Sequence, residues 1–189
     1  MKVRDSGMPS QDYWETLLDV PRILDAFGFD AATGNVAELG CGYGTFTVPL
    51  ARRIRGTVHA LDLDPQMTAV TTERASAARL GNVSARTRDV LADGFGVSPG
   101  SCAACLLFNI LHAEQPVAIL RAAREVVQLG GLVAVVHWRS DIVTPRGPSL
   151  DIRPRPEQIV AWSADAGLMP AAPSFDLPPW HFGLQLRRT

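Results

Sequence analysis

Cysteine is scarce in this chain: Cys41, Cys102 and Cys105 are the whole complement. An odd count this small suits a reducing compartment better than a disulfide framework. The first twenty residues are polar and mixed, without an apolar stretch leading to a small-residue cleavage site, so no secretory leader is read there. No apolar run reaches membrane-spanning length. A cytoplasmic protein without membrane attachment is expected. Charge of one sign is lacking too. The formal net charge is −1, from 18 Lys and Arg against 19 Asp and Glu, so the bulk balance points to no nucleic-acid or acidic-surface partner. The local cluster Arg52, Arg53 and Arg55 reads as the C-terminal end of a helix, where cations complement the helix dipole. Repeats, low-complexity tracts and linkers are likewise absent. A length of 189 residues is enough for one core without staples, so residues 1–189 are expected to form one domain.

Cys102 and Cys105 form a C-x-x-C pair, which raises the question of a metal. The surrounding SCAACLLFN reads as the start of a buried strand. Residues three apart on a regular strand point to opposite faces, so the thiols are expected to diverge. No second pair and no ligand-spaced histidine follows, and no metal site is expected.

Along the chain, residues 11–29 carry Tyr13, Trp14, Leu17, Leu18, Ile23, Leu24 and Phe27 at helical spacing, with Pro21 in the first turn of a second short helix. Residues 1–30 are read as an N-terminal arm that either forms a lid, with Tyr13 or Trp14 facing the site it covers, or packs on the outside of the sheet and supplies stability. From residue 35 strands and helices alternate. NVAELG is a strand, then comes a Gly-rich turn, and TFTVPLARRI is a helix. TVHALDLD is a strand and PQMTAVTTERASAARLG a helix begun by Pro65 and closed by Gly81. VSARTRDV and SCAACLLFNIL are strands. PVAILRAAREVVQLGG is an amphipathic helix expected to close at Gly130 and Gly131, before the strand LVAVVHWR. The Pro-rich last third holds the helix PEQIVAWSADAGL and two closing strands, PSFDLP and HFGLQLRR. This alternation, with near-continuous apolar strands, predicts an α/β doubly wound, mostly parallel sheet covered on both faces.

The sharpest signal is Glu38-Leu39-Gly40-Cys41-Gly42-Tyr43-Gly44, at the junction of the first strand and its helix. Glycine there lets a ligand approach the backbone because no Cβ intervenes. Dinucleotide folds space their glycines G-x-G-x-x-G. Here the third glycine comes one position early and an acid precedes the first by two. The pattern resembles motif I of class I S-adenosylmethionine-dependent methyltransferases, and the small enzymes grouped near the menaquinone and ubiquinone methyltransferases in particular. The resemblance runs over residues 35–140. Asp62, with Leu63 after it, ends the second strand, where the family's acid accepts from the ribose hydroxyls. Asp89-Val90 follows the third strand, where the family binds adenine. Asn109, in Phe108-Asn109-Ile110-Leu111-His112, ends the fourth strand at a cofactor-contacting turn, and QLGGLVAVVHW matches the Gly-Gly turn into the fifth. The resemblance implies S-adenosyl-L-methionine as cofactor, held by Glu38, Gly40, Cys41, Gly42, Gly44, Asp62, Leu63, Asp89, Val90 and Asn109. It also implies a Rossmann-like sheet of seven strands in the order 3-2-1-4-5-7-6, with the last strand antiparallel.

Ligands of an open α/β sheet bind at the carboxyl ends of its strands. His112, His137 and His181 are all expected at that edge, with Trp138 and Trp180, and are the candidate catalytic residues; His is the usual base near neutral pH. His59 lies inside a strand and reads as packed. The fourth strand lacks the Asn/Asp-Pro-Pro-aromatic turn of many amino-group methyltransferases, and no Pro-Cys nucleophile is present. A small-molecule acceptor is therefore expected. Two rivals stand beside this reading. An NAD-type oxidoreductase is opposed by the glycine spacing and by the missing Tyr-x-x-x-Lys pair. A non-catalytic cofactor- or partner-binding domain would carry the same motif.

Overall fold

The computed structural model describes residues 9–189. Gly7 and Met8, at the start of the expected arm, lie outside the described residues. The arm helix divides where Pro21 predicts. α1 is Gln11–Thr16 and α2 is Val20–Ala26, and the Asp19 side chain caps α2 by accepting from the Arg22 N–H at 3.1 Å. Then β1 (Val36–Leu39), α3 (Thr47–Arg53), β2 (Val58–Asp62), α4 (Pro65–Ala77), β3 (Val83–Thr87) and α5 (Val90–Asp93) alternate, followed by β4 (Cys102–Phe108), α6 (Pro116–Val126) and β5 (Val127–Trp138). α7 (Pro156–Asp165) and the short strands β6 (Leu168–Pro170) and β7 (Phe175–Leu177) lead to β8 (His181–Arg188).

The sheet order is β3-β2-β1-β4-β5-β8-β6, parallel from β3 through β5, with β8 antiparallel to β5 and β7 also pairing with β8. Among the described residues eight strands stand where seven are expected. Two short strands precede β8: β6, ending at Pro170, pairs with Leu186–Arg188, and β7, starting beyond Pro173, pairs with 181–183. The order is otherwise the expected one, the long final strand lying between β5 and an earlier, shorter one.

Two helix ends differ from expectation. α4 stops at Ala77, and Arg79 rather than Gly81 takes the left-handed conformation, at φ 56°. α6 stops at Val126, and the next residue already belongs to β5. Gly130 and Gly131 therefore do not close the helix. They sit in an irregularity of β5, where the pairing jumps from Cys102↔Val127 to Ala104↔Leu132. The same irregularity corrects the cysteine reading. It breaks the alternation of β4 between Cys102 and Ala104, so Cys102 and Cys105 point into one core, with Leu107 and Val133. Burial raises both thiol pKa values, as for packed, unreactive cysteines.

Two apolar cores lie on the two faces of the sheet. One joins Val36, Leu106, Phe108 and Val136 to Ile23, Leu24 and Phe27 of the arm and Leu50 of α3. The other joins Leu39, Leu107 and Val135 to Ile119 and Leu120 of α6 and Ile159 of α7. Ile23 and Leu24 are buried, and such side chains contribute about 1.5–3 kcal/mol each by leaving water. The second half of the arm is thus part of the core. Among the described residues no helix is long and apolar enough to cross a membrane.

Candidate active site

The Gly-rich turn leaves β1 with Gly40, Gly42 and Gly44 all at positive φ, 78°, 52° and 74°. A residue with a Cβ is strained in each. At Gly40 a Cβ would also sit 2.5 Å from Ile110 Cδ1. The turn is held from beneath and from one side. The Leu61 carbonyl of β2 accepts from the Gly40 and Cys41 N–H groups at 2.7 and 3.0 Å. Thr71 Oγ1 of α4 donates to the Gly42 carbonyl at 2.9 Å, and Arg74 Nη1 to the Tyr43 carbonyl at 2.7 Å. Sequence reasoning missed Thr71 and Arg74. Thr68, Thr71 and Ala75 form the buried face of α4, small and half-polar, which hydropathy periodicity does not register.

Two acids stand at this turn in different states. Glu38 is buried and accepts from Thr47 Oγ1 at 2.5 Å. Desolvation pushes its pKa up to about 8, against the Thr47 bond and with help from the Asp62 charge, so its carboxyl is largely protonated at neutral pH. Asp62 is half-buried at the end of β2. Its Oδ2 accepts from the Gly42 N–H at 2.9 Å and its Oδ1 from the Asp64 N–H at 3.0 Å. The carboxylate thus braces the turn while keeping lone pairs for further donors. Cys41 is buried beside them, its thiol pKa raised by burial and by the Glu38 charge. Leu63 follows Asp62, outside the strand. Asp89 caps α5, accepting from the Leu91 N–H at 3.0 Å, and Val90 is buried behind it.

Asn109, just past β4, has a left-handed φ of 57° and donates its N–H to the Val136 carbonyl at 2.8 Å. Its carboxamide reaches His181 Nε2 at 3.5 Å, and among the described residues its buried Oδ1 has no hydrogen-bond partner. The three candidate histidines reach one edge of the sheet but divide between its faces. His137 and His112 meet with ring centroids 5.5 Å apart on the α6 side. His181 pairs in register with Trp138 and stacks on it at 4.1 Å, on the face covered by the arm. Burial, reinforced by His112, lowers the His137 pKa to about 3; burial, reinforced by Arg153, does the same to His181. Both are neutral at physiological pH. His59 lies within β2, its pKa lowered by partial burial and by Arg86.

The arm touches the site at several points. Tyr43 Oη of the Gly-rich turn donates to the Pro9 carbonyl at 2.9 Å, and Glu15 of α1 pairs with Arg74 at 2.7 Å. Trp14 sets its edge toward Trp138 at 6.2 Å, whereas Tyr13 is exposed.

Residues 36–131, just over half of the chain, match the family model of the methyltransferase domain. No curated protein sequence matches the chain. Among solved structures it is similar to a SAM-dependent methyltransferase from Aquifex aeolicus, at 18% identity and TM-score 0.83 over 95% of this chain and 94% of that one. It is also similar to an S-adenosylmethionine-dependent methyltransferase from Mesorhizobium loti, at 13% identity and TM-score 0.71 over 89% and 96%. A third similar structure is the geranyl diphosphate C-methyltransferase of Streptomyces coelicolor A3(2), solved with Mg2+, geranyl diphosphate and S-adenosyl-L-homocysteine. It stands at 15% identity and TM-score 0.74 over 90% and 78%. At these identities the likeness is one of fold. Taken with the matched domain and the turn from Glu38 to Gly44, it settles the family: the chain belongs to the S-adenosylmethionine-dependent methyltransferases of class I fold.

Proposed function

We propose that the chain moves the methyl group of S-adenosyl-L-methionine to a small-molecule acceptor at the carboxyl edge of its sheet. The observation that carries the reading is the turn itself: three successive left-handed glycines under an ionisable carboxylate, Asp62, that already orders them. The residues present fit the cofactor. The turn offers close backbone approach, Asp62 offers acceptor lone pairs for a diol, and Asn109 Oδ1 is a buried acceptor without a partner among the described residues. In this reading Gly40, Cys41, Gly42 and Gly44 line the methionine end, with Glu38 supporting them. Asp62 and Leu63 meet the ribose, Asp89 and Val90 the adenine, and Asn109 the reacting end. When bound, the cofactor supplies a methyl group on a sulfonium, open to in-line displacement by an acceptor lone pair.

The chain's own contribution is alignment, exclusion of water and care of a proton. Neutral His137 and His181 suit orientation through hydrogen bonds better than proton uptake near pH 7, because burial holds both at about 3. His181 would orient the Asn109 carboxamide. His112 keeps the role proposed for it from the sequence, taking up an acceptor proton, from the α6 side of the edge where it meets His137. The arm would cover the site, with Trp14 rather than Tyr13 facing the acceptor and α2 fixed in the core behind it. The geranyl diphosphate enzyme, itself a small-molecule methyltransferase, favours an acceptor of that general size.

The test is transfer of an isotopically labelled methyl group from S-adenosylmethionine to a panel of small metabolites, read by mass spectrometry. Labelled product that disappears in Gly42→Val, a variant that keeps its fold, supports the reading. Cofactor binding with no transfer to any small molecule, but transfer to nucleic acid or protein, would replace it.

A further inference from the structure

The loop from β5 to α7 is built around one buried cation. Arg153 is 7% exposed, and its guanidinium lies over the Trp138 ring at 5.8 Å. Its hydrogen bonds go to backbone carbonyls: Nε donates to Pro148 at 2.8 Å, Nη1 to Arg139 at 2.9 Å and Nη2 to Arg146 at 3.2 Å. Carbonyls accept hydrogen bonds but neutralise no charge. Among the described residues no ion pair includes Arg153. The nearby Asp141 is committed to Arg139, at 2.6 Å. Buried charges are ordinarily paired, because an uncompensated one loses its hydration with nothing in return. The guanidinium fork also carries more N–H groups than these three bonds use. Burial lowers the Arg153 pKa, and its charge contributes to holding His137 and His181 neutral.

The cation does not face a closed core. A groove of about 310 Å³ lies against it, lined by Arg153, Arg146, Thr144, Ser149 and the apolar Val143 and Leu150. Val143 and Leu150 are strongly exposed for aliphatic side chains. Behind the groove a run of contacts between buried side chains joins Arg153 to the reacting end, Trp138 and His181 themselves lying outside the groove's lining. Arg153 lies over Trp138, Trp138 stacks on His181 at 4.1 Å, and His181 meets the Asn109 carboxamide at 3.5 Å. Cationic floor and apolar rim together describe the complement of one kind of molecule.

We propose that this groove is the anion subsite of the methyl acceptor. A carboxylate or phosphate head group sits on Arg153, and an apolar portion lies against Val143 and Leu150 on the loop that leaves the carboxyl end of β5. The inference rests on the reading of this sheet edge as the acceptor site. It adds that the acceptor is an organic anion with an apolar portion. Arg153 then holds the head group while also stapling the loop that shapes the groove.

Fluorine NMR on the full chain tests this with three probes of similar shape: para-fluorobenzoate, para-fluorophenyl phosphate and neutral para-fluorobenzamide. The expected result is saturable line broadening of one or both anions and none of the amide. The favoured anion tells a carboxylate from a phosphate source. Arg153→Met should weaken anion binding at least tenfold, and Arg153→Lys should recover part of it. Should Arg153→Met fail to fold, Ser149→Glu places an opposing charge at the exposed rim without touching the staple, and should weaken the anions several-fold. The proposal is overturned if the anions and the amide bind alike, if no probe binds, or if the folded variants bind anions as wild type does. S-adenosylhomocysteine is titrated in parallel. Its failure to bind wild type would sink the methyl-transfer reading, whereas loss of anion binding alone would sink only the subsite.

Discussion

Asp62→Ala separates two duties of one carboxylate. In the folded chain its Oδ2 accepts from the Gly42 N–H at 2.9 Å, a half-buried bond that crosses from β2 to the turn, and its Oδ1 accepts from the Asp64 N–H at 3.0 Å at the surface. Water replaces the second bond at little cost. The first leaves a half-buried donor orphaned, at roughly 1–3 kcal/mol. For a chain of this length each kcal/mol moves the midpoint by about 2–4 °C, so a fall of roughly 2–12 °C is expected without ligand. Binding suffers separately. Loss of a charged acceptor for the ribose costs about 1.5–3 kcal/mol, which is roughly a tenfold to hundredfold rise in Kd for S-adenosylhomocysteine. Asp62→Asn keeps an oxygen for Gly42 but only one neutral acceptor, so it should recover most of the stability and little of the affinity. Thermal unfolding gives the first quantity and titration calorimetry the second. Wild-type affinity in a folded Asp62→Ala would refute the argument, because the ribose would then lie elsewhere.

Further outcomes follow from other residues. Gly42→Val, at φ 52°, should remove cofactor binding while a folded protein remains; unchanged affinity would make the turn purely structural. Asp89→Ala should weaken binding less than Asp62→Ala, since adenine also gains from apolar contact, and the same titration ranks the two. Stability should pass through a maximum near pH 6.5. His137 and His181 have folded pKa values of about 3 against 6.5, so their stabilisation is complete above pH 6.5 and fades as pH falls toward 3. Glu38 is raised from 4.5 to about 8, so its stabilisation is complete below pH 4.5 and fades as pH rises through 8. The two histidines outweigh Glu38 below pH 6.5, and Glu38 alone acts above it. Urea midpoints between pH 5 and 8.5 check this, and a monotonic rise through pH 8 would be inconsistent with a buried, neutral Glu38. All three cysteines are buried with raised pKa values, so native protein should resist alkylation that urea-unfolded protein undergoes; rapid native labelling of Cys102 or Cys105 would mean the β4 core opens, and of Cys41 that the Gly-rich turn does.

Much of this fold is written in local pattern. The alternation of apolar strands with helices started by Pro65, Pro116 and Pro156 places each parallel strand, and the glycines at 40, 42 and 44 mark the turn where a side chain is intolerable. The sequence reading fails where pairing between distant strands decides. Gly130 and Gly131 look like a helix stop, yet the register of β4 against β5 makes them part of a strand irregularity, and that irregularity brings Cys102 and Cys105 to one face. The histidines at strand ends reveal an edge but not a face. Only the register His137↔Phe182 and Trp138↔His181 shows that His137 and His181 part company. Arg153 stands in the Pro-rich stretch between β5 and α7, where composition says only loop. Its burial comes from three carbonyls and a tryptophan spread from 138 to 148, which no local window gathers.

The central claim is that the turn from Gly40 to Gly44, braced by Asp62, holds S-adenosylmethionine. Titration calorimetry of the whole chain with S-adenosylhomocysteine and, separately, with NAD tests it most directly. Saturable binding of S-adenosylhomocysteine with micromolar Kd, and no heat from NAD, is the predicted result. Binding of NAD with no response to S-adenosylhomocysteine would contradict it.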